Sequence, residues 1–230
     1  MSEFDYANKC EESNETFSCF ASLTEEQKKH LDDNKNEVIY YKGETIIKQG
    51  TTNDSVMYLN EGLVKLSMQS NDKYVIITLK TRNHFIGFET FRSQRSSPYT
   101  VTALEDSKVC LVGKDIISNL LNQNKVFANE VLQVMNNNII LTYDRLFSLT
   151  QKQLHGRLAD ILLCLSKNIY ASDNFDLPLS RRDLAALTSM APESVIRILK
   201  DFKTDKLINT SGKNIKILNK QMLEKISAVG

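Results

Sequence analysis

The chain has 230 residues, 41% of them hydrophobic, and a formal net charge of +1, which is enough apolar material for two cores of ordinary domain size. No apolar run approaches the ~20 residues of a membrane span, and the polar, acidic opening MSEFDYANKCEESNE is unlike a secretory signal. Four irregularly spaced cysteines argue for reducing surroundings and against a disulfide scaffold. A soluble, cytoplasmic chain with no membrane partner is expected.

Residues 1–19 read as a loosely ordered arm, followed by a short helix at Thr24–Asn34 (TEEQKKHLDDN). From Val38 to about Val112 short β-rich runs (VIYY, TIIK, VMYL, LVKLSM, YVIITL, VTAL, KVCLV) alternate with turns, and Gly43, Gly50, Gly62, Gly87 and Gly113 punctuate them. Many short strands with spaced turn signals predict a compact β barrel or sandwich. The alternation in Leu63-Val64-Lys65-Leu66-Ser67-Met68 fits a sheet wet on one side.

From Asn124 to about Leu149 the period becomes helical. Val131, Met135, Ile139, Thr142 and Leu146 fall at three- and four-residue steps, the narrow seam of a helix that pairs with a copy of itself. Leu132, Ile140, Tyr143 and Phe147 form a second apolar set. A single core helix is the alternative; apolar residues on two sides favour a homodimer helix. A second helix, Gln153–Ile169, leads through the polar link Ala171–Asp176 to the C-terminal lobe. The expected organisation is an arm (1–19), a β sensor domain (20–123), a dimerisation helix (124–152) and a C-terminal domain (153–230).

That last domain carries the most informative stretch, LSRRDLAALTSMAPESVIRILKDFKTDKLI from Leu179 to Ile208. It reads as two short helices joined by a tight turn. Ser180 with Asp183 forms a capping box, and Pro192 suits the first position of the second helix. On a helical wheel Val195, Ile198, Leu199 and Phe202 gather on one side, opposite Glu193, Arg197 and Lys200. The polar set is of the kind that reaches base edges and phosphates in a major groove. Ile196, on the exposed flank, suits a thymine methyl. Two β-rich runs around Ser211-Gly212-Lys213 then read as a hairpin wing. Residues 152–230 hold 13 Lys/Arg against 8 Asp/Glu, while residues 1–151 hold 16 against 20, so the basic lobe suits a polyanion. A small α+β lobe that docks a protein is the competing reading. No Gly-rich phosphate loop, paired metal motif or nucleophile with a spaced His occurs, so an enzyme is not expected.

In this order, the elements resemble the bacterial family of the cyclic-AMP receptor protein and the fumarate–nitrate reduction regulator (CRP/FNR), over roughly residues 20–226. The resemblance rests on Gly43-x6-Gly50, Tyr58-Leu59 before Glu61-Gly62, Phe85-Ile86-Gly87, Ala103-Leu104-Glu105, and Glu193-Ser194-Val195-x-Arg197-Ile198-Leu199. It implies an α+β fold: an N-terminal double-stranded β-helix of the cyclic-nucleotide-binding type, a long dimerisation helix and a C-terminal winged helix-turn-helix. It also implies a homodimeric regulator on a palindromic operator, with RNA polymerase as a further partner. Glu193, Ser194, Ile196 and Arg197 are then the base-reading residues, and Ser180, Arg181, Lys200 and Lys213 the phosphate contacts. Two departures stand out: Ser189 where the family commonly has Gly in the turn, and Pro192 where the cyclic-AMP type has Arg. A TTGA-like half-site follows.

The resemblance places an effector pocket at Phe88, Glu89, Ser97 and Tyr99. A cyclic nucleotide requires a carboxylate directly after Gly87 and an arginine near residues 96–97. Here Phe88 follows the glycine, Glu89 comes one step late, and Ser96-Ser97-Pro98 stands at the arginine's place. In an extended segment that slip would turn Glu89 to the other face. Cyclic AMP is therefore not the expected effector, which stays unidentified. In the oxygen-sensing branch cysteines hold an iron–sulfur cluster; Cys10, Cys19 and Cys110 with a nearby carboxylate (Glu11, Glu12 or Glu15) are the thiols available. The alternative is that Cys110 is a small core residue. The scattered His30, His84 and His155 give haem no motif.

Overall fold

In a computed structural model of the chain, residues 20–91 and 95–230 are described. Among them two compact units form, one ending at Met135 and the other beginning at Asn136. The boundary falls inside the long helix.

The first unit opens with helix α1 (Glu25–Asp33), whose N-cap Thr24 accepts from the Gln27 N–H while the Gln27 side chain accepts from Thr24 N, a complete capping box. Eight strands follow: β1 (Lys35–Tyr40), β2 (Thr45–Ile47), β3 (Ser55–Glu61), β4 (Leu63–Ser70), β5 (Lys73–Thr81), β6 (His84–Ile86), β7 (Thr100–Ala103) and β8 (Ser107–Gly113). They pair antiparallel in two four-stranded sheets, ordered β1-β8-β3-β6 and β2-β7-β4-β5. Ile47, Met57, Leu59, Val64, Leu66, Ile86, Val101 and Val109 share one core contributed by both sheets. The strands thus form the double-stranded β-helix expected.

The other face of the first sheet is also covered. Val56, Tyr58, Phe85, Cys110 and Val112 pack with Leu31 of α1, with Ile117 and Leu120 of helix α2 (Lys114–Gln123), and with Phe127 and Val131 of the long helix α3 (Lys125–Gln151). Strand β3, buried on both faces, therefore reads as the continuous apolar run VMYL. Helix α2 carries no strong start signal beyond Gly113 and is absent from the sequence reading.

One local expectation is corrected. Ser67 is buried and Met68 exposed at the far end of β4, where the pairing with β5 passes over Ile77, a bulge on that neighbouring strand. Gly62 has a positive φ of 99°, and a Cβ there would lie 2.3 Å from Ser107 Oγ and 2.7 Å from the Asp106 carbonyl. The Glu61-Gly62 corner therefore admits only glycine.

The second unit contains the rest of α3, then α4 (Leu154–Cys164), a π-helical turn (Leu165–Ile169), β9 (Asn174–Asp176), α5 (Arg181–Thr188), α6 (Pro192–Thr204), β10 (Ile208–Ser211), β11 (Asn214–Ile217) and α7 (Lys220–Val229). Helix α4 is its centre, buried almost throughout and packed against α5, α6 and α7. Two differences from the sequence reading arise here. The supposed link at Ala171–Asp176 contains β9, which pairs with β11 to make the wing three-stranded; Phe175, its one buried residue, pairs with Ile215. Helix α7 was not anticipated, although Asn219 caps it by accepting from Met222 N and Leu223 and Ser227 mark a buried face.

Candidate DNA interface and sensor site

Helices α5 and α6 form the helix-turn-helix. Ser180 caps α5: its Oγ accepts from Asp183 N at 3.0 Å and donates to the Asp183 carboxylate at 2.7 Å. Helix α6 starts at Pro192, where the missing N–H costs nothing. Its Val195, Ile198, Leu199 and Phe202 are buried, whereas Glu193, Ile196, Arg197 and Lys200 are exposed and Ser194 is half-buried. Ile196 is 56% exposed. Burying an aliphatic or aromatic side chain stabilises by about 1.5–3 kcal/mol, so four of them hold the helix with its polar side outward.

The turn is unusual in chemistry. Ser189 takes the left-handed conformation (φ 51°, ψ 49°) in which the backbone N–H of Met190 reaches back to Ala185 O at 3.0 Å. Glycine usually fills such a position because a Cβ crowds the carbonyl. The wing turns at Gly212 and Lys213, with Ser211 opposite Asn214, and Lys213 is exposed at its tip. Lys203 Nζ donates to Thr210 O at 3.1 Å and ties the wing to α6.

The sequence-based phosphate contacts fare unevenly. Lys200 and Lys213 are open to solvent. Arg181 is half-buried, with Nη1 covered and lacking a hydrogen-bond partner, while its neighbour Arg182, which the sequence reading passed over, is exposed. The helical period places two adjacent arginines on different sides, and only packing decides which is outward.

In the long helix, Val131 is 3% exposed and belongs to the core of its own β domain, and Met135 is half-buried. The open stripe is instead Leu132, Ile139, Ile140, Tyr143, Leu146 and Phe147. Thr142 is exposed and donates its hydroxyl to Asn138 O. The apolar set read as the seam is therefore partly spent on the chain's own core, and the second set widens what is left open.

At the sensor, Gly87 (φ 79°) starts a 3-10 turn over Phe88–Thr90, so the period-two expectation for Glu89 does not apply. Glu89 accepts from the Tyr99 hydroxyl at 2.5 Å, and that hydroxyl accepts from Gly87 N at 3.3 Å. Burial, then the Glu89 charge, push the Tyr99 phenol far above its ordinary value, keeping it a donor. Ser97 is buried, its Oγ donating to Tyr99 O at 2.7 Å. Glu89, Ser97 and Tyr99 thus come together. Phe88 does not: it packs outward against Phe85 and Phe91.

Cys110 is buried beside Tyr58 and Phe85, and burial raises its thiol above the ordinary value. No metal-binding group of three His, Cys, Asp or Glu exists among the described residues. Cys10 and Cys19 lie outside them. Cys164 is buried in α4, as a core residue of that helix.

A two-sheet β-roll of this kind, continuing through a long helix to a winged helix-turn-helix, defines a regulator that couples a sensor fold to a DNA-reading head. Residues 37–124 match the cyclic nucleotide-binding domain and residues 156–226 the Crp-like helix-turn-helix domain. The transcriptional activator protein FnrA of Stutzerimonas stutzeri is 25% identical over 183 residues, covering 77% of this chain and 75% of that protein. The fumarate and nitrate reduction regulatory protein of Vibrio cholerae is 24% identical over 195 residues, covering 82% and 77%. Among solved structures, FixK2 from Bradyrhizobium japonicum superposes with a TM-score of 0.77 at 22% identity, covering 85% of this chain and 98% of that one. A crp/fnr-family regulator from Eubacterium rectale gives 0.74 at 18% identity, covering 92% and 98%. The chain belongs to the CRP/FNR family of DNA-binding transcription regulators, and that family is not one of enzymes. No helix among the described residues is long and apolar enough to cross a membrane.

Ser189→Gly is expected to stabilise the protein by about 0.5–1 kcal/mol, since glycine adopts the left-handed region without the side-chain penalty. A denaturant midpoint that stays put or falls would show that the turn is not strained.

Proposed function

We propose that this protein is a homodimeric regulator that reads a palindromic operator with TTGA-like half-sites through α6. The observation that carries this reading is the division of α6 into a fully buried apolar face and an exposed Glu193, Ile196 and Arg197. Arg197 forks onto guanine O6 and N7, Glu193 accepts from cytosine N4, Ile196 meets a thymine methyl, and Ser194 tunes the step between them. Lys200, Lys213 and Arg182 contact phosphates and set the register; Ser180 joins them only by releasing its hydroxyl from Asp183, and Arg181 contributes less. RNA polymerase is the partner through which such a regulator acts on transcription, and a chain working on genomic DNA works in the cytoplasm.

The open stripe of α3 supports dimerisation through Leu132, Ile139, Tyr143 and Leu146, a seven-residue repeat suited to a facing copy. Leu146 is 59% exposed, and a contiguous apolar strip of that kind on a helix calls for a partner. The sensor's effector is not cyclic AMP, because Phe88 follows Gly87 where the ribose would need a carboxylate, and Ser96-Ser97-Pro98 stands where an arginine would meet the phosphate. The packing of Cys110 with Tyr58 and Phe85 supports its reading as a small core residue.

Arg197→Ala is expected to cost ~1–3 kcal/mol on a duplex enriched from a randomised pool and to relax one guanine position, while Lys213→Ala weakens all duplexes alike and reduces the salt slope by about 1. Equal binding of parent and Arg197→Ala to enriched and random duplexes would remove α6 as the reading element. In light scattering, Leu146→Glu should convert a dimer to a monomer and lower operator affinity by roughly 100-fold or more through lost bivalency; a monomeric parent would refute the dimer. Cyclic AMP at millimolar level should leave the melting temperature unchanged, and a clear upward shift would restore it as effector.

A further inference from the structure

The lower half of α3 buries charge where an ordinary helix would bury hydrocarbon. Asp144, Arg145 and Ser148, and Lys152 directly after the last residue of the helix, are all buried, at three- and four-residue steps along one side. Three helices meet at one carboxylate: Asp160 of α4, 1% exposed, accepts from Ser148 Oγ at 2.7 Å, from Lys152 Nζ at 2.8 and 2.9 Å, and from Ser227 Oγ of α7 at 2.5 Å. Above it, the Arg145 guanidinium donates to the carbonyl of Leu187. Arg157 of α4 donates through Nε to Lys152 O at 2.8 Å and through Nη1 to Thr188 O at 3.4 Å.

Leu187 and Thr188 are the last two residues of α5, directly before the left-handed Ser189. Their carbonyls have no intrahelical donor, and two arginines supply what the helix end lacks, favoured by the negative end of its dipole. Burying such a cluster gains little stability, since apolar residues of the same volume do as well. Its hydrogen bonds are directional, which apolar packing is not.

We infer that Arg145, seconded by Arg157, is a positioning residue for DNA reading: it locks the turn of the helix-turn-helix to the long helix and so sets the direction in which α6 is presented. Any rotation of α3 at this level is carried to α6 through the Leu187 carbonyl. The inference rests on the proposed dimeric reading, in which α3 also holds the second copy, so the angle at Arg145 sets the distance between the two reading helices.

The test uses full-length protein in fluorescence anisotropy. The probes are a duplex enriched by the parent from a randomised pool, a random duplex of equal length, and versions of the first with the half-sites moved by one and two base pairs. Arg145→Met should fold as the parent does by circular dichroism, bind the random duplex unchanged, and lose at least tenfold of the enriched-to-random ratio with a flattened spacing profile. Arg145→Lys should recover part of that ratio. Arg157→Met, at a half-exposed site, should fall in the same direction by less, and carries the test alone if Arg145→Met does not fold. A parental ratio and spacing profile in the variants would overturn the inference. A parent that enriches no duplex would instead defeat the DNA-reading proposal, an outcome visible before any variant is compared.

Discussion

A helix can offer charged residues to DNA only if something else holds it still, and in α6 that restraint is apolar. Val195, Ile198, Leu199 and Phe202 are buried together in the lobe whose centre is α4, so Glu193 and Arg197 have no structural duty and are open to solvent. Everything downstream depends on this division: the wing tied to α6 by Lys203, the capped entry of α5, and the turn between the helices. Were the polar side needed for packing, the lobe would be an ordinary α+β core with no reading surface.

Apolar burial fixes which face points inward but not the angle about the contact. The polar belt of Arg145, Ser148, Lys152, Asp160 and Ser227 adds that direction. Burial pushes the Asp160 carboxyl above its ordinary value, while Lys152 and the two hydroxyls pull it back. The balance is the usual one for a buried ion pair: little net gain, considerable geometric definition.

The sensor domain follows a different logic. Its two sheets share an apolar interior, and the segment after β6 is a single helical turn with Glu89 bound to Tyr99 inside the same chain. Glu89 itself is exposed while Tyr99 is buried, so the pair joins the surface of the domain to its interior.

The primary structure by itself determined the order of the main blocks, the Ser180–Asp183 capping box, the amphipathic reading helix and the basic C-terminal lobe. Each is written in local periodicity, in composition or in a side chain that satisfies its own neighbours, as with Ser180 and Asp183. Only the tertiary structure decided which of two adjacent arginines faces outward, that Val131 belongs to its own β domain, that Glu89 meets Tyr99, and that Arg145 reaches the end of α5. Those outcomes join residues 10 to 42 positions apart or turn on which neighbouring element covers a residue. A periodic pattern describes one element at a time, and burial is a property of what another element covers.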